Sequence, residues 1–311
     1  SSTVSTPVSN DVYQGHAPVT NSISNVSGGS YEHLVANQAS VSTAVTDVQD
    51  TTTVTPTATP LVTEGGSIVY TASVGAPVTG SPVVVTLANG QTITIAIGQS
   101  SGTVSAPVTN DVYQGHAPVT NSITSVSGGN YESLVGNPAP VTTSVTDAQD
   151  TTTVTLTATP SVAEGGSIVY TATLTNPAGT PVTVTLSNGQ TIAIAANQTS
   201  GSVTVAAPGD DPYIDAGSVS ARITTATGGN FENLAIINAP AVTNITDTVD
   251  TSTVSLTASP TVAEGGSITY TASVGAPVTG TPVVVTLANG QTITIPVGQS
   301  SSTVTTPVSN D

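Results

Sequence analysis

The chain of 311 residues carries 18 Asp and Glu against a single Lys or Arg, Arg222, for a net charge of −17, and it has no Cys, Met or Trp. With one basic residue, so acidic a chain lacks the cations needed to displace counterions from nucleic acid, and anionic lipid surfaces repel it. Without Cys it has no disulfide, and without Lys no Schiff-base chemistry or Lys–Asn cross-link, so each part must be held by its own core and any bound metal.

Thr and Val favour pleated, half-buried strands. The 29 Gly and 21 Pro mark frequent turns, and 37% hydrophobic content is too high for a disordered acidic tail. The clearest signal is internal repetition. TTTVT stands at 51–55 and 151–155, TSTVS at 251–255, and EGGSI at 64–68, 164–168 and 264–268. A Gly pair recurs at 28–29, 128–129 and 228–229, and Asp47, Asp147 and Asp247 are followed by Asp50, Asp150 and Asp250. The period is 100 residues.

In chain order, residues 1–48 supply the last three strands of one repeat. Residues 49–148 and 149–248 are complete repeats, and 249–311 supply the first five strands of another. The first eleven residues, SSTVSTPVSND, nearly equal the last eleven, SSTVTTPVSND. The chain therefore reads as a window on a longer array, continued on both sides or completed by strands of neighbouring copies.

Within 149–248 seven short strands are expected, near 152–158, 167–173, 181–186, 190–195, 201–206, 218–225 and 240–246. Ile168, Tyr170 and Ala172 share one face of the second strand, and Val219, Ala221 and Ile223 one face of the sixth. Asn188-Gly189 joins the third and fourth as a hairpin, since both residues tolerate positive φ. Seven alternating strands in about 100 residues describe an immunoglobulin-like β-sandwich. The fold class is all-β: tandem seven-stranded modules, end to end.

The run EGGSIVYTATLTNPAGTPVTVTLSNGQTIAI (164–194), then DDPYIDAGSVSARITTATGGNFENL (210–234) and TDTVD (246–250), resembles the extender repeats of large Gram-negative RTX adhesins. These include LapA-like biofilm adhesins and the calcium-dependent repeats of an ice-binding adhesin. The resemblance covers nearly the whole chain, although the nonapeptide repeats of RTX secretion regions are absent. It implies secretion, calcium-stabilised immunoglobulin-like domains and the projection of a terminal adhesive domain from the cell. The loops NDVYQGHAP at 10–18 and 110–118 depart from the third repeat. Gln14 and Gln114 stand at the position of Asp215, and Asn10 and Asn110 at that of Asp210. Those copies are expected to hold fewer or weaker ions.

Topology adds an argument of its own. With strands alternating in direction, one pole collects the loops after the first, third and fifth strands together with the end of the seventh. In 149–248 this pole carries Glu164, Asp210, Asp211, Asp215 and Asp247, with Asp250 just beyond. The other pole carries Asn230 and Glu232. Where modules meet pole to pole, Glu64, Asp111, Asp147 and Asp150 are expected to face Asn230 and Glu232. One junction earlier, Asp11, Asp47 and Asp50 are expected to face Asn130 and Glu132. A carboxylate pair at about 4 Å costs about 4 kcal/mol at an effective dielectric near 20. Ca²⁺, with six to eight oxygen ligands, relieves that repulsion and stiffens the joint.

His16, His116 and His33 sit in loops with no Cys or second His nearby, so they are expected to be solvated and no transition-metal site is expected. No GxSxG elbow occurs, and 149–248 has no His to serve as base, so no enzyme is expected. Tyr13, Tyr113, Tyr213, Tyr31, Tyr131 and Phe231 are expected to cap the core at their own pole rather than stack on sugar. The resulting expectation is an extracellular, cell-surface stalk segment whose cofactor is calcium and whose partners are neighbouring repeats or identical chains end to end. The alternative is a repeat surface that binds glycan or matrix, or that self-associates into a filament.

Overall fold

The computed structural model describes residues 1–311, all of whose regular structure is strand, and the chain divides into two compact units, Ser1–Asp150 and Thr151–Asp311. In the second unit, one sheet has the order Ser200–Ala206, Ser167–Leu174, Thr151–Ala158, Asn233–Ile236. The last of these runs parallel to the first strand, pairing Asn233 with Thr151 and Ile236 with Val154. Facing it, Thr191–Ile194 pairs with Val182–Leu186, which pairs with Ile223–Gly228. Gly217–Ala221 pairs with Ala241–Thr246, which pairs in parallel with Ser161–Ala163.

Period-2 patterning puts the β-branched and aromatic side chains between the sheets. Val154, Ile168, Tyr170, Val184, Ile192, Ile194 and Ile245 are buried, and Thr and Ser fill the outer faces. The first unit repeats this sandwich over 51–146, around Val54, Ile68, Tyr70, Val85, Ile93 and Ile95.

Three details depart from the expected seven strands. The sixth strand is two pieces. It breaks at Arg222, whose N–H donates to Ser187 Oγ at 3.1 Å while its carbonyl accepts from Ser187 N–H at 2.9 Å. The first piece pairs with the last strand and the second with the third strand, so one segment spans the facing sheet. The first strand likewise sheds a short tail, Ser161–Ala163, which crosses to the facing sheet. The segment Asn233–Ile236 adds a strand where a loop was expected.

The hairpin at Asn188-Gly189 also differs in kind. Gly189 has φ of 81°, whereas Asn188 stays at negative φ. Gly189 N–H donates to Leu186 O at 3.0 Å and Leu186 N–H to Gln190 O at 2.8 Å. This is a three-residue loop with glycine in the left-handed bulge position, not the two-residue loop in which both residues have positive φ.

The flanking segments are thinner. In 1–48, Val19–Asn21 pairs with Val41–Thr43. In 251–311 five strands surround a small core of Ala272, Val278, Leu287, Ile293 and Ile295. Val254 there is 43% exposed, against 0% for its equivalent Val154.

Candidate cation-binding poles

At one end of each complete sandwich the EGG turn folds a glutamate inward. Gly65 sits at φ 74°, a conformation costly to any residue with a Cβ, and a Cβ on Gly66 would lie 2.8 Å from Thr63 O. The turn is tied down by Glu64 N–H donating to Thr146 O at 3.0 Å. Glu64 is left only 4% exposed, and its equivalent Glu164 8%. A buried carboxylate needs donors or a counter-charge.

In the first unit Glu64 receives several. Asp111 N–H donates to its Oε2 at 3.1 Å and Ala148 N–H to its Oε1 at 2.9 Å. His116 Nε2 lies 2.5 Å from Oε2, and also 3.9 Å from Asp147 and 4.0 Å from Asp111. The hydrogen bond to Glu64 is the main reason the imidazole is held above its ordinary pKa of 6.5; burial opposes it, and the charges of Glu64, Asp111 and Asp147 reinforce it. Asp147 is itself positioned by Gly115 N–H at 2.9 Å. Glu64, His116 and Asp147 present ligand atoms within 4.8 Å of one another.

The second unit builds the same pole from oxygen alone. Glu164, Asp215 and Asp247 present ligand atoms within 4.8 Å of one another. Burial first, then a hydrogen bond with Asp215 and the charges of Asp215, Asp247 and Asp211, push Glu164 from 4.5 up to about 7. Two carboxyls can share a hydrogen bond only by sharing a proton. Beyond that, Glu164 Oε2 and Asp247 Oδ1 are buried with no donor. A hard divalent cation fits this set, because it takes carboxylate oxygen and supplies the charge that the protein does not.

The expected polar collection of Glu64, Asp111 and Asp147, and of Glu164, Asp211, Asp215 and Asp247, is therefore what the fold assembles. Asp150 lies at this pole too, with a ligand atom within 4.8 Å of Glu64, and it accepts from Asn110 at 2.5 Å, as Asp50 does from Asn10 at 2.6 Å. Asp210 instead accepts from the Thr248 hydroxyl. Asp11 and Asp111 accept from the backbone N–H of Tyr13 and Tyr113 two residues on. Asn230, at φ 54°, and Glu232 flank the buried Phe231 at the opposite end of their sandwich, and Asp250 is exposed.

Two expectations about the loop after the fifth strand are corrected. The residue that does in the first unit what Asp215 does in the second is His116, not Gln114. And His116 is not a solvated loop residue, since it sits on the buried Glu64. His16 repeats the arrangement on Asp47 at 3.1 Å. The signal was present: GHAP occurs twice, inside the loop that topology sends to the acidic pole. What hid it was spacing. His116 follows Asp111 by five residues, whereas Asp215 follows Asp211 by four.

The first unit also contains a joint between repeats. Tyr13 stacks on Tyr131 with centroids 5.5 Å apart and forms a β-bridge with it. Gln14 N–H donates to Asn130 O at 2.9 Å, Asn130 Nδ2 to Gln14 O at 3.1 Å, and Glu132 N–H to Val12 O at 3.0 Å. Gln14 Nε2 reaches Tyr131 O at 2.9 Å, and the Tyr13 hydroxyl donates to Pro77 O at 2.6 Å. Tyr213 repeats that last contact on Pro277 at 2.7 Å in the second unit. Tyr131 and Phe231 do cap their own cores, but Tyr13 packs against the core of the next repeat, and Tyr31 is 73% exposed. Of the acids expected to meet here, Asp50 donates its backbone N–H to Glu132, whose Oε1 is buried without a donor. Asp11 and Asp47 make their hydrogen bonds within the first segment.

Repeated sandwiches, poles of clustered carboxylates and side-chain latches between successive repeats define a tandem β-sandwich protein of structural type. The chain belongs to the LapA domain family, whose model matches residues 50–148, 150–248 and 250–311. That family is one of adhesin repeats, structural and adhesive rather than catalytic, which makes this a biofilm adhesin-like, surface-associated repeat region. No curated protein matches the chain. No helix in it is long and apolar enough to cross a membrane.

Proposed function

We propose that the chain is an extender segment of a secreted surface adhesin and that calcium bound at the module poles stiffens it. The observation that carries this reading is the third repeat's pole. There Glu164 Oε2 and Asp247 Oδ1 are buried without donors, beside Asp215. An extender needs modules that resist unfolding and joints that resist bending. Calcium ligated by the loop carrying Asp215, the turn carrying Glu164 and the strand end carrying Asp247 ties three segments of one module together. At the joint inside the first unit, Glu132 Oε1 beside Asp50 offers one further oxygen from across the boundary.

Thermal melts of the whole chain test this reading. Calcium is expected to raise the midpoint of the second unit by an amount that grows with the logarithm of free calcium, because the ion binds the folded state. Glu164→Gln and Asp247→Asn are expected to remove that rise. Equal midpoints in calcium and in excess chelator would refute it.

A further inference from the structure

We propose that the pole of the second repeat is a mixed nitrogen–oxygen site for a borderline divalent cation of the zinc class, held by His116 Nε2, Glu64, Asp147 and Asp111, whereas the all-oxygen pole of the third repeat takes calcium. The proposal deepens the reading of the poles as cation sites and rests on it.

Four groups from three segments converge here. His116 Nε2 lies 2.5 Å from Glu64, 3.9 Å from Asp147 and 4.0 Å from Asp111. One imidazole N–H cannot serve three carboxylates, but a cation among the four can. Zinc favours four-coordinate sites built from His nitrogen and carboxylate oxygen, with bonds of about 2.0–2.2 Å. Calcium wants six to eight oxygens and gains little from imidazole.

The ligands are already oriented. Asp111 and Ala148 N–H groups fix both oxygens of Glu64, and Gly115 N–H fixes Asp147, the kind of support that metal ligands need.

An independent observation points to a cation at the equivalent pole of the third repeat. One repeat on, the equivalent Glu164 is more than nine-tenths buried and aims an unpartnered oxygen into the same cluster, beside the unpartnered Asp247 Oδ1. Replacing Asp215 by His116 exchanges one anionic oxygen for a neutral nitrogen. That lowers the charge of the pole and softens its donor set, both of which favour zinc over calcium. The His16–Asp47 pair shows the same substitution in the first segment.

Isothermal titration of zinc chloride into the whole chain, with calcium saturating and His16→Ala as background, tests the proposal. One zinc equivalent is expected. His116→Ala and His116→Gln should each weaken it by about tenfold or more. The glutamine variant keeps a hydrogen-bond donor toward Glu64, so its loss of zinc is not a loss of fold. His116→Asp should trade the zinc site for an additional calcium equivalent. Glu164→Gln should lower calcium binding and leave zinc binding unchanged. Cobalt(II) in place of zinc should show the intense visible bands of a four-coordinate site. Zinc heat that is absent, or that persists undiminished in both His116→Ala and His116→Gln, overturns the proposal. If calcium still binds at Glu164 in that case, the extender reading survives. If neither ion binds, both readings fall.

Discussion

A carboxyl buried among other carboxyls can lower its energy by taking a proton or by taking a cation, and Glu164 makes the choice measurable. Its folded pKa lies above the ordinary 4.5, at about 7. The folded state therefore holds the extra proton, and the calcium-free unit loses stability as pH climbs from 4.5 to about 7, with the whole deficit present above that. His116 acts in the same direction. Its pKa is raised from 6.5, so its contribution is complete below 6.5 and is lost as pH rises through the raised value. Without calcium the chain is expected to melt higher at about pH 5 than at about pH 8, and calcium is expected to narrow the gap. Glu164→Gln should raise the chelator midpoint at the higher pH by a few degrees, which separates this residue from the general repulsion of an acidic chain. A chelator midpoint that is higher at pH 8 than at pH 5, each set to about those values, would contradict the account. Glu164 was legible in the sequence because EGGSI recurs at a loop that strand direction sends to one pole. His116 was not. Its partner Glu64 is 52 residues away, and His116 stands five residues after Asp111 where Asp215 stands four after Asp211.

At the scale of the element, the poles depend on a backbone turn and the joints on an aromatic latch. Gly165, at φ 70°, sets the turn that points Glu164 inward. Gly165→Ala is expected to cost about 1–3 kcal/mol and to weaken calcium binding together with stability, readable from melts with and without the ion. Tyr13 on Tyr131 is a stacked pair of the sort worth about 0.5–1.5 kcal/mol beyond the area it buries. Tyr13→Ala should speed hydrogen exchange at the Gln14 and Glu132 amides, whose bonds cross the joint, by up to roughly tenfold, leaving the sandwich amides of 67–73 protected. Strands whose apolar residues alternate, such as Ser167–Leu174, could be read directly from the sequence, since side-chain period and burial coincide. The break at Arg222 and the short strand Asn233–Ile236 could not. The first depends on which neighbours the segment meets, and the second on a parallel pairing with a strand about 80 residues earlier, neither of which leaves a local pattern.

At the scale of the whole molecule, the repeat accounts for both the sameness and the variation of the chain. The two complete modules carry Thr and Ser on much of their outer faces, interspersed with exposed aliphatic residues such as Val69, Val169 and Val242. Tyr131 and Phe231 are buried and Tyr13 stacks on Tyr131, whereas Tyr31 is 73% exposed. Variation gathers at the poles, where His116 and Asp215 stand in the same role. In this account the net charge of −17 is a reservoir of repulsion that divalent ions discharge at chosen points. Small-angle X-ray scattering of the whole chain tests that claim most directly. Calcium is expected to lengthen the maximum dimension and sharpen the distance distribution relative to excess chelator, as joints that bend become joints that do not. Identical distributions in the two conditions would contradict it.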